Sequence, residues 1–314
     1  MQYKKFEILS KEMLTQATCR MKISAPRIAS AARPGQFLIV RADEKGERIP
    51  LTISDYNPDE GSVTIVTQSI GVSSGHINSF GQGECFADVV GPLGLPSDFI
   101  GYSPERLRSE SYVFIAGGLG TAPVYPQVRW LKEHGAAVDV IIGARSKDLL
   151  IYTEEMASVC DNLYLCTDDG SCGFHGVGTA QLEALVAQGR KYTRCVAIGP
   201  MIMMKFSALT CKKLGIPITV SLNTLMVDGT GMCGACRVSV AGKMRFACVE
   251  GPEFDGYEVD FDEAIRRQGQ YRSEEQEAAT KESALRESSR QAAGVPSRQG
   301  AAANEVHKCK IGRG

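Results

Sequence analysis

The sequence has no long apolar run, only four histidines and almost no net charge. No apolar stretch reaches the roughly 18 residues that a membrane span needs, and the first residues, MQYKKFEILSKEML, lack the apolar core and cleavage site of a signal peptide. The net charge of -1 gives no electrostatic reason to expect nucleic acid or an anionic membrane as a partner. The four histidines are scattered, without a nucleophile or metal-ligand pattern around them. We therefore expect a cytoplasmic protein that binds neither nucleic acid nor a membrane.

Cysteine occurs eleven times, an odd number that does not suit a framework of paired disulfides. Three of these cysteines fall within one short segment, which suits a reducing compartment and a metal centre. The chain has 314 residues, of which 43% are hydrophobic. It is therefore long enough to form two compact domains and a smaller module.

The pattern of apolar residues divides the chain into four parts. Residues 1–100 hold short alternating apolar runs punctuated by glycine and proline, which predicts a small β-barrel. Residues 108–222 alternate apolar runs with helical segments, which predicts an α/β domain with a parallel sheet. Residues 223–265 form a cysteine-bearing module, and residues 266–314 are a polar tail, helical to about Arg290 and then disordered. The strands of the α/β domain are predicted at Tyr112–Ala116, Ala137–Ile142, Asn162–Cys166 and Arg194–Ile198, with a helix at 178–187.

The segment from Asp228 to Cys248 has the spacing of an iron–sulfur site. A plant-type [2Fe-2S] cluster takes cysteines as C-x4-C-x2-C, with a fourth further along the chain. Cys233, Cys236 and Cys248 occupy the second, third and fourth places, and Asp228 stands at the first. The glycines between them permit the unusual backbone angles and close amide approach that such a loop needs. The sequence therefore predicts a [2Fe-2S] cluster, with buried thiols in a tight turn or three ligands of a zinc site as the alternatives.

A glycine-rich turn follows the first strand of the α/β part and opens a helix. Such a turn places backbone N–H groups and the positive end of a helix against a phosphate, although a turn that serves packing alone has the same pattern. The next strands also end in glycine or polar residues, and the ends of parallel strands meet at one edge of a sheet. We therefore predict a nucleotide site at that edge. Its candidate residues are Gly117, Gly118, Gly120, Thr121, Pro123, Gly143, Arg145, Asp169, Gly199, Pro200 and Met203.

Two segments of the predicted barrel combine hydroxyl groups with a glycine-relieved backbone, which suits the pyrophosphate of a flavin. Ordinary strand-face and turn residues have the same composition, so these segments alone leave both interpretations open. The candidate flavin contacts are Pro50, Leu51, Thr52, Val66, Thr67, Gln68, Gly71, Ser73 and Ser74.

Taken in order, these motifs resemble the ferredoxin-reductase superfamily. The similarity covers residues 1–265 and is to the branch shared by the electron-transfer subunit of dihydroorotate dehydrogenase and the small subunit of NADH-dependent reduced ferredoxin:NADP oxidoreductase. A Gly-Gly-x-Gly-x-Ala-Pro turn, a Gly-Pro-x-x-Met segment and the cluster loop occur in this order in both. Aspartate at 228 favours the second relative, whose cluster is held by one Asp and three Cys. Because a carboxylate is a harder donor than a thiolate, we expect Asp228 to shift the reduction potential of the cluster.

The resemblance implies FAD, a [2Fe-2S] cluster and NAD(H), or with less support NADP(H). Hydride would pass between the nucleotide and FAD, and single electrons through the cluster to a larger flavin and iron–sulfur subunit, with ferredoxin reached through that partner. No side chain of this chain is expected to act as a catalytic acid or base. An electron-transfer subunit of dihydroorotate dehydrogenase, or a relay subunit without turnover of its own, are the alternatives.

The flavin motif departs from the Arg-x-Tyr-Ser/Thr pattern of the superfamily. Aligning Thr52 with the hydroxyl residue places Leu51 at the aromatic position and Ile49 at the arginine, so Arg48 is one residue out of register. Simple reductases also carry a cysteine before the Gly-Pro pair, and this chain has Ile198 there. We therefore expect no cysteine role beside a nicotinamide.

Overall fold

The computed structural model describes residues 4–278, 280–281 and 284. The chain divides into two units, with the boundary between Gln270 and Tyr271. In the second unit, residues 272–278 are helical. The segment from about Arg290, which we expect to be disordered, lies outside the described residues. No helix in the described part of the chain combines the length and apolar character needed to cross a membrane.

The first unit begins with a six-stranded antiparallel sheet in the order β1-β2-β5-β4-β3-β6. Backbone hydrogen bonds join its two ends, since Ile8 N–H donates to the Glu84 carbonyl (2.8 Å) and Phe86 N–H to the Phe6 carbonyl (3.2 Å). Helix α2 packs against β5. The elements are β1 (Ile8–Met13), β2 (Thr18–Ser24), α1 (Pro26–Ala31), β3 (Phe37–Arg41), β4 (Arg48–Asn57), β5 (Ser62–Gln68), α2 (Val72–Ser79) and β6 (Asp88–Leu93).

Alternate residues of these strands fill one side of the sheet, as the period of two in a strand requires. On β2 the inward residues are Cys19, Met21 and Ile23, all fully buried. On β4 they include Ile49 and Leu51, which pack against the same core. The side chain of Leu51 therefore belongs to the core of this sheet.

A seven-stranded sheet follows, in the order β10-β9-β8-β7-β11-β12-β15, where β15 is Glu253–Asp255 of the cysteine-bearing segment. Six strands are parallel and β15 is antiparallel to its neighbour β12. All four predicted strands and the predicted helix are present. The elements are α3 (Pro104–Ser109), β7 (Ser111–Gly117), α4 (Thr121–Glu133), β8 (Ala137–Ala144), α5 (Thr153–Val159), β9 (Asn162–Thr167), β10 (Phe174–His175), α6 (Gly178–Ala187), β11 (Arg194–Ile198), α7 (Met201–Leu214) and β12 (Ile218–Ser221).

The cysteine-bearing segment packs on both sheets. Cys236 and Cys248 share a small apolar core with Phe37 and Ile39 of β3, whereas Phe261 joins the core of the seven-stranded sheet. Its last helix ends at Gln268 and Gly269 follows, so the helix predicted to run on to about Arg290 is interrupted. The elements are β13 (Arg237–Val240), β14 (Lys243–Phe246), α8 (Ala247–Glu250), β15 (Glu253–Asp255) and α9 (Phe261–Gln268).

Candidate nucleotide crevice and iron–sulfur site

The chain reverses its winding direction between β7 and β11, which are neighbours in the sheet. From β7 it runs outward through β8, β9 and β10, and it then returns to β11 and β12 on the other side of β7. Ligands of open α/β sheets bind outside the carboxyl ends of the strands at such a switch point. The two predicted glycine segments lie there, because Gly117 ends β7 and Gly199 follows the end of β11.

Three of the predicted glycines bring these two strand ends into contact. An added Cβ at Gly120 would lie 2.2 Å from the carbonyl oxygen of Ile198, and one at Gly117 would lie 2.5 Å from Sδ of Met203. A Cβ at Gly199 would lie 3.1 Å from Cα of Gly117. Packing therefore requires these glycines whether or not a ligand binds. Met203 is half-buried over them.

Gly118 differs from its neighbours in the turn. Its φ is +53°, and an added Cβ would meet nothing within 4 Å. This is the position where the turn leaves open space. The hydroxyl of the buried Thr121 donates to the Gly118 carbonyl (2.9 Å), so Thr121 holds the turn. Pro123 lies in the first turn of α4, and Pro200 directly precedes α7. Two helix N-termini thus meet the switch point, where their unpaired N–H groups favour an anion.

The remaining nucleotide candidates lie at the ends of β8 and β9. Gly143 pairs with Gly117 in the register of β7 and β8, and the exposed Arg145 follows β8. The exposed Asp169 donates its N–H to the Arg145 carbonyl (3.2 Å). The hydroxyl and N–H of Ser171 donate to Oδ1 of Asp169 at 2.6 and 3.0 Å, and these bonds lower the pKa of Asp169. The two strand ends thus form one polar rim.

The predicted flavin residues of β4 and β5 divide between the core and the outer face. Pro50 and Thr52 lie on the face of β4 opposite Leu51. Val66 is buried beside Tyr152 of the α/β part. Thr67 is buried and its hydroxyl donates to Oδ1 of Asn78, so its side chain is already hydrogen-bonded within the protein. The half-buried Gln68 ends β5.

The turn after β5 opens helix α2. Gly71 precedes the helix, and an added Cβ there would meet nothing within 4 Å. The hydroxyl of Ser74 accepts the N–H groups of Ile70 and Gly71, both at 3.0 Å, and therefore caps the helix. Ser73 donates to the carboxylate of Glu47. The exposed side of this turn is thus glycine backbone at a helix N-terminus.

Asn78 is the residue of this region that sequence reasoning missed. Its side-chain amide donates to the carbonyls of Ala17 (3.2 Å) and Thr67 (3.3 Å) and to the hydroxyl of Ser69 (2.9 Å). Asn78, in α2, therefore holds this helix against the end of β5, the strand that precedes Gly71. No pattern in the sequence marks it, because its partners are brought together by the sheet.

The four predicted cluster ligands lie on one glycine-containing loop and the helix that follows β14, and two of them are in contact. The thiols of Cys236 and Cys248 are buried and their sulfur atoms are 3.2 Å apart. The carboxylate of Asp228 accepts N–H groups from Thr230 (2.9 Å) and Met232 (3.3 Å) as well as the Thr230 hydroxyl. These bonds, strengthened by the charge of Arg48, hold the pKa of Asp228 below its usual value.

The cysteines differ in their electrostatic environments. Cys233 is exposed, and backbone N–H groups, first that of Ala235 and then that of Asp228, lower the pKa of its thiol. Burial raises the pKa of Cys248 to about 12. Among the described residues no group of three His, Cys, Asp or Glu side chains surrounds a single point, as one metal ion would require. A [2Fe-2S] cluster instead divides four terminal ligands between two irons.

Comparison with known proteins places this loop in a family. Residues 223–260 match the iron–sulfur cluster binding domain of dihydroorotate dehydrogenase B. A Thermotoga maritima protein described as a homologue of the dihydroorotate dehydrogenase B (NAD(+)) electron transfer subunit is 45% identical over 269 residues, which cover 86% of this chain and 92% of that protein. The chain belongs to this family of electron-transfer subunits. The resemblance drawn from the sequence is confirmed.

Other relatives of this family extend the similarity. An uncharacterized protein of Clostridium beijerinckii is 56% identical over 274 residues, covering 87% of this chain and 93% of its own length. A solved structure of NADH-dependent reduced ferredoxin-NADP oxidoreductase has a TM-score of 0.83 and 42% identity, with coverage of 90% of this chain and 98% of that chain. The ferredoxin reductase in carbazole 1,9a-dioxygenase, at 17% identity and a TM-score of 0.56, covers 70% of this chain and shares the fold alone.

Proposed function

We propose that this chain is a flavin and iron–sulfur electron-transfer subunit. It exchanges hydride between NAD(H), or NADP(H), and FAD, and passes single electrons through a [2Fe-2S] cluster to a partner subunit. The observation that carries the proposal is the seating of the cluster loop on the first sheet. Cys236 and Cys248 pack with Phe37 and Ile39 of β3, next to the strand that presents Pro50 and Thr52. The candidate cluster and flavin positions are therefore neighbours.

The residues of the loop fit a [2Fe-2S] cluster. Cys236 and Cys248, with sulfurs 3.2 Å apart, would hold one iron, and Asp228 and Cys233 would hold the other. Gly231 has φ +86°, a conformation that an L-residue adopts only with strain, and backbone N–H groups already favour the thiolate of Cys233. When bound, the cluster supplies one-electron transfer.

The first sheet fits the barrel of a flavin domain. Its ends are joined by hydrogen bonds, and the Gly71 turn offers open backbone at the start of α2, which suits a pyrophosphate. Ser73 and Ser74 border that turn, and Pro50 and Thr52 stand on the outer face of β4. FAD, when bound, accepts hydride as two electrons and releases them singly.

The switch point between β7 and β11 fits a nicotinamide nucleotide. The open backbone at Gly118 and the N-terminus of α7 would receive the pyrophosphate. Arg145 and Asp169 would lie toward the adenosine. The relatives named for NAD(+) and NADH favour NADH over NADPH for this chain.

Exposed apolar side chains surround the cluster loop and suit a larger flavin and iron–sulfur subunit as the partner, through which ferredoxin would be reached. Met232 is 87% exposed, and several exposed apolar side chains along one short segment are more typical of an interaction surface than isolated ones. The other members of this rim are Leu225, Val227, Met244 and Val249.

Anaerobic stopped-flow reduction of the reconstituted full chain tests the proposal. NADH should reduce the flavin and then the cluster, with the flavin bleaching before the cluster signal appears. Arg145→Ala, measured with NADH and with NADPH, should weaken the binding of whichever nucleotide Arg145 contacts. Lys147→Ala, near the same strand ends, is the control and should not weaken it. A chain that carries both cofactors but is reduced by neither nucleotide would be a relay subunit.

The electron-transfer subunit of dihydroorotate dehydrogenase is the second candidate, favoured by the names of several relatives such as that of Geobacillus thermodenitrificans, at 30% identity over 260 residues. Asp228 bears on the choice between the two, because the resemblance drawn from the sequence implies an aspartate ligand in the ferredoxin-linked enzyme and four cysteines in the dihydroorotate branch. Asp228→Cys should retain the cluster with a changed midpoint potential. Mass spectrometry of the co-purified subunit identifies the partner.

A further inference from the structure

Arg48 begins β4 and has no role in the proposed chemistry. Alternate residues of a strand point to opposite faces, and Ile49 and Leu51 pack into the core of the first sheet. Arg48 therefore shares the outer face with Pro50 and Thr52. A strand rises about 3.3 Å per residue, so Arg48 stands about 13 Å from Thr52 along the strand. One rigid strand face thus carries both the arginine and the candidate flavin contacts.

The guanidinium of Arg48 bonds to the main chain of the cluster loop. Its Nε donates to the Val227 carbonyl at 3.1 Å, and its Nη2 donates to the Asp228 carbonyl at 3.4 Å. Nη1 lies 3.8 Å from Oδ2 of Asp88 on β6. The side chain is half-buried, at 32% exposure, which limits screening by solvent. A planar guanidinium with several donors suits this fixed, branched contact better than an ammonium group.

We infer that Arg48 is a positioning residue that fastens the Asp228 end of the cluster loop to the flavin strand and raises the reduction potential of the cluster. This inference rests on the proposed function, because it presumes a [2Fe-2S] cluster on the loop.

The two effects have separate physical causes. The hydrogen bonds fix the backbone of Asp228, whose carboxylate is then directed by Thr230 and Met232. The positive charge changes the free energy of reduction directly. Reduction adds one electron, and so one negative charge, to the cluster, with no bond made or broken. A cation held beside the ligand loop stabilises the more negative, reduced form.

Arg48→Gln in the full reconstituted chain separates these effects from a general loss of charge. Arg41→Gln is the matched control, since Arg41 is the cross-strand partner of Arg48 and bonds to Glu44. The midpoint of the cluster is measured by dithionite titration followed by electron paramagnetic resonance. Arg48→Gln should reduce the equilibrium constant for cluster reduction by about tenfold, which is about 59 mV for one electron. Arg41→Gln should leave it unchanged.

Arg48→Lys keeps the charge and loses the branched contact. It should keep the midpoint closer to that of the wild type than Arg48→Gln does, with an altered resonance line shape. An Arg48→Gln protein with wild-type midpoint and line shape would overturn the inference. If Arg48→Gln loses its cluster, retention in Arg41→Gln supports the anchoring role, and loss in both variants contradicts it. Absence of a cluster from the wild type would contradict the proposed function instead.

Discussion

Gly117, Gly120 and Gly199 make room between two packed segments in the nucleotide crevice, whereas the cluster-loop glycines Gly229, Gly231 and Gly234 all have a positive φ. A Cβ at Gly120 would lie 2.2 Å from the Ile198 carbonyl oxygen, although Gly120 has an ordinary helical φ of -61°. In the cluster loop Gly231 and Gly234 have φ values of +86° and +68°, and the nearest atom to a Cβ at Gly234 is 3.7 Å away. The crevice glycines therefore depend on tertiary packing alone. The loop glycines depend on local conformation and, at Gly229 and Gly231, also on packing, because an added Cβ would lie 2.6 Å from Cδ1 of Ile39 and 2.8 Å from Cγ2 of Val249, respectively.

Gly120→Ala is expected to have the largest effect on stability. The new methyl group meets backbone that cannot rotate away, because Ile198 is held in β11 between two strands. We expect the free energy of unfolding to fall by about 3 kcal/mol or more, measured by urea denaturation. Gly117→Ala is the control: its methyl group meets the flexible Met203 side chain and should cost less. A loss of under about 1 kcal/mol in Gly120→Ala would show that the two strand ends are not rigidly packed.

The half-buried Glu253 of β15 joins the cysteine-bearing segment to α4 and to the segment after β6. The Ser97 hydroxyl donates to its Oε1 at 3.1 Å, and the side-chain amide of Gln127 on α4 donates to the same oxygen at 2.9 Å. Burial raises the pKa of Glu253 to about 7, and the nearby Asp98 contributes in the same direction. The folded protein therefore holds this proton more tightly than the unfolded chain does.

The consequence is that the contribution of Glu253 to stability falls as the pH rises. Below the ordinary glutamate pKa the carboxyl is protonated in both states, and between that value and about 7 only the folded state keeps its proton. The contribution of Glu253 to the free energy of unfolding should fall by about 3 kcal/mol across this window. Glu253→Gln should remove this component, so that the variant exceeds the wild type at about pH 8 and matches it at about pH 4. Equal differences at both pH values, from urea denaturation, would contradict the assignment.

A smaller effect is expected where glycine faces open space in either region. Gly118→Ala and Gly234→Ala each place a methyl group with no neighbour closer than 3.7 Å, but at φ +53° and +68°. The strain of a left-handed conformation is about 1–2 kcal/mol per residue. We expect both variants to stay folded by circular dichroism and to lose about this amount or less. A larger loss in Gly118→Ala than in Gly120→Ala would reverse the contrast between the two kinds of glycine.

Local patterns were sufficient to predict the strands and the helix of the α/β part, because each is an apolar run bounded by glycine or polar residues. They also predicted that the ends of β7 and β11 carry the glycine segments. The alternation of Ile49, Leu51 and Ile53 predicts the inward orientation of the Leu51 side chain that the structure shows. The contact of Leu51 with a flavin stays a prediction.

Contacts between distant parts of the chain could not be predicted from one sequence. Arg48 and Val227 are 179 positions apart, and nothing local to either indicates the other. The pairing of β15 with β12 is of the same kind, since a three-residue strand has too little pattern to identify. The end of α9 before Gly269 is of the same kind, since α9 packs on α7 and β13, and the polar composition of the segment does not reveal these contacts.

Iron and sulfide analysis of the anaerobically purified full chain tests the central claim most directly, with Cys248→Ser beside the wild type. The wild type should contain about two iron atoms and two inorganic sulfides per chain. Cys248→Ser should lose most of both while keeping the circular dichroism spectrum of the folded protein, because the substitution removes one buried ligand from the pair with Cys236. A wild type that holds a single zinc ion, or a Cys248→Ser variant with its full iron and sulfide, would contradict the account.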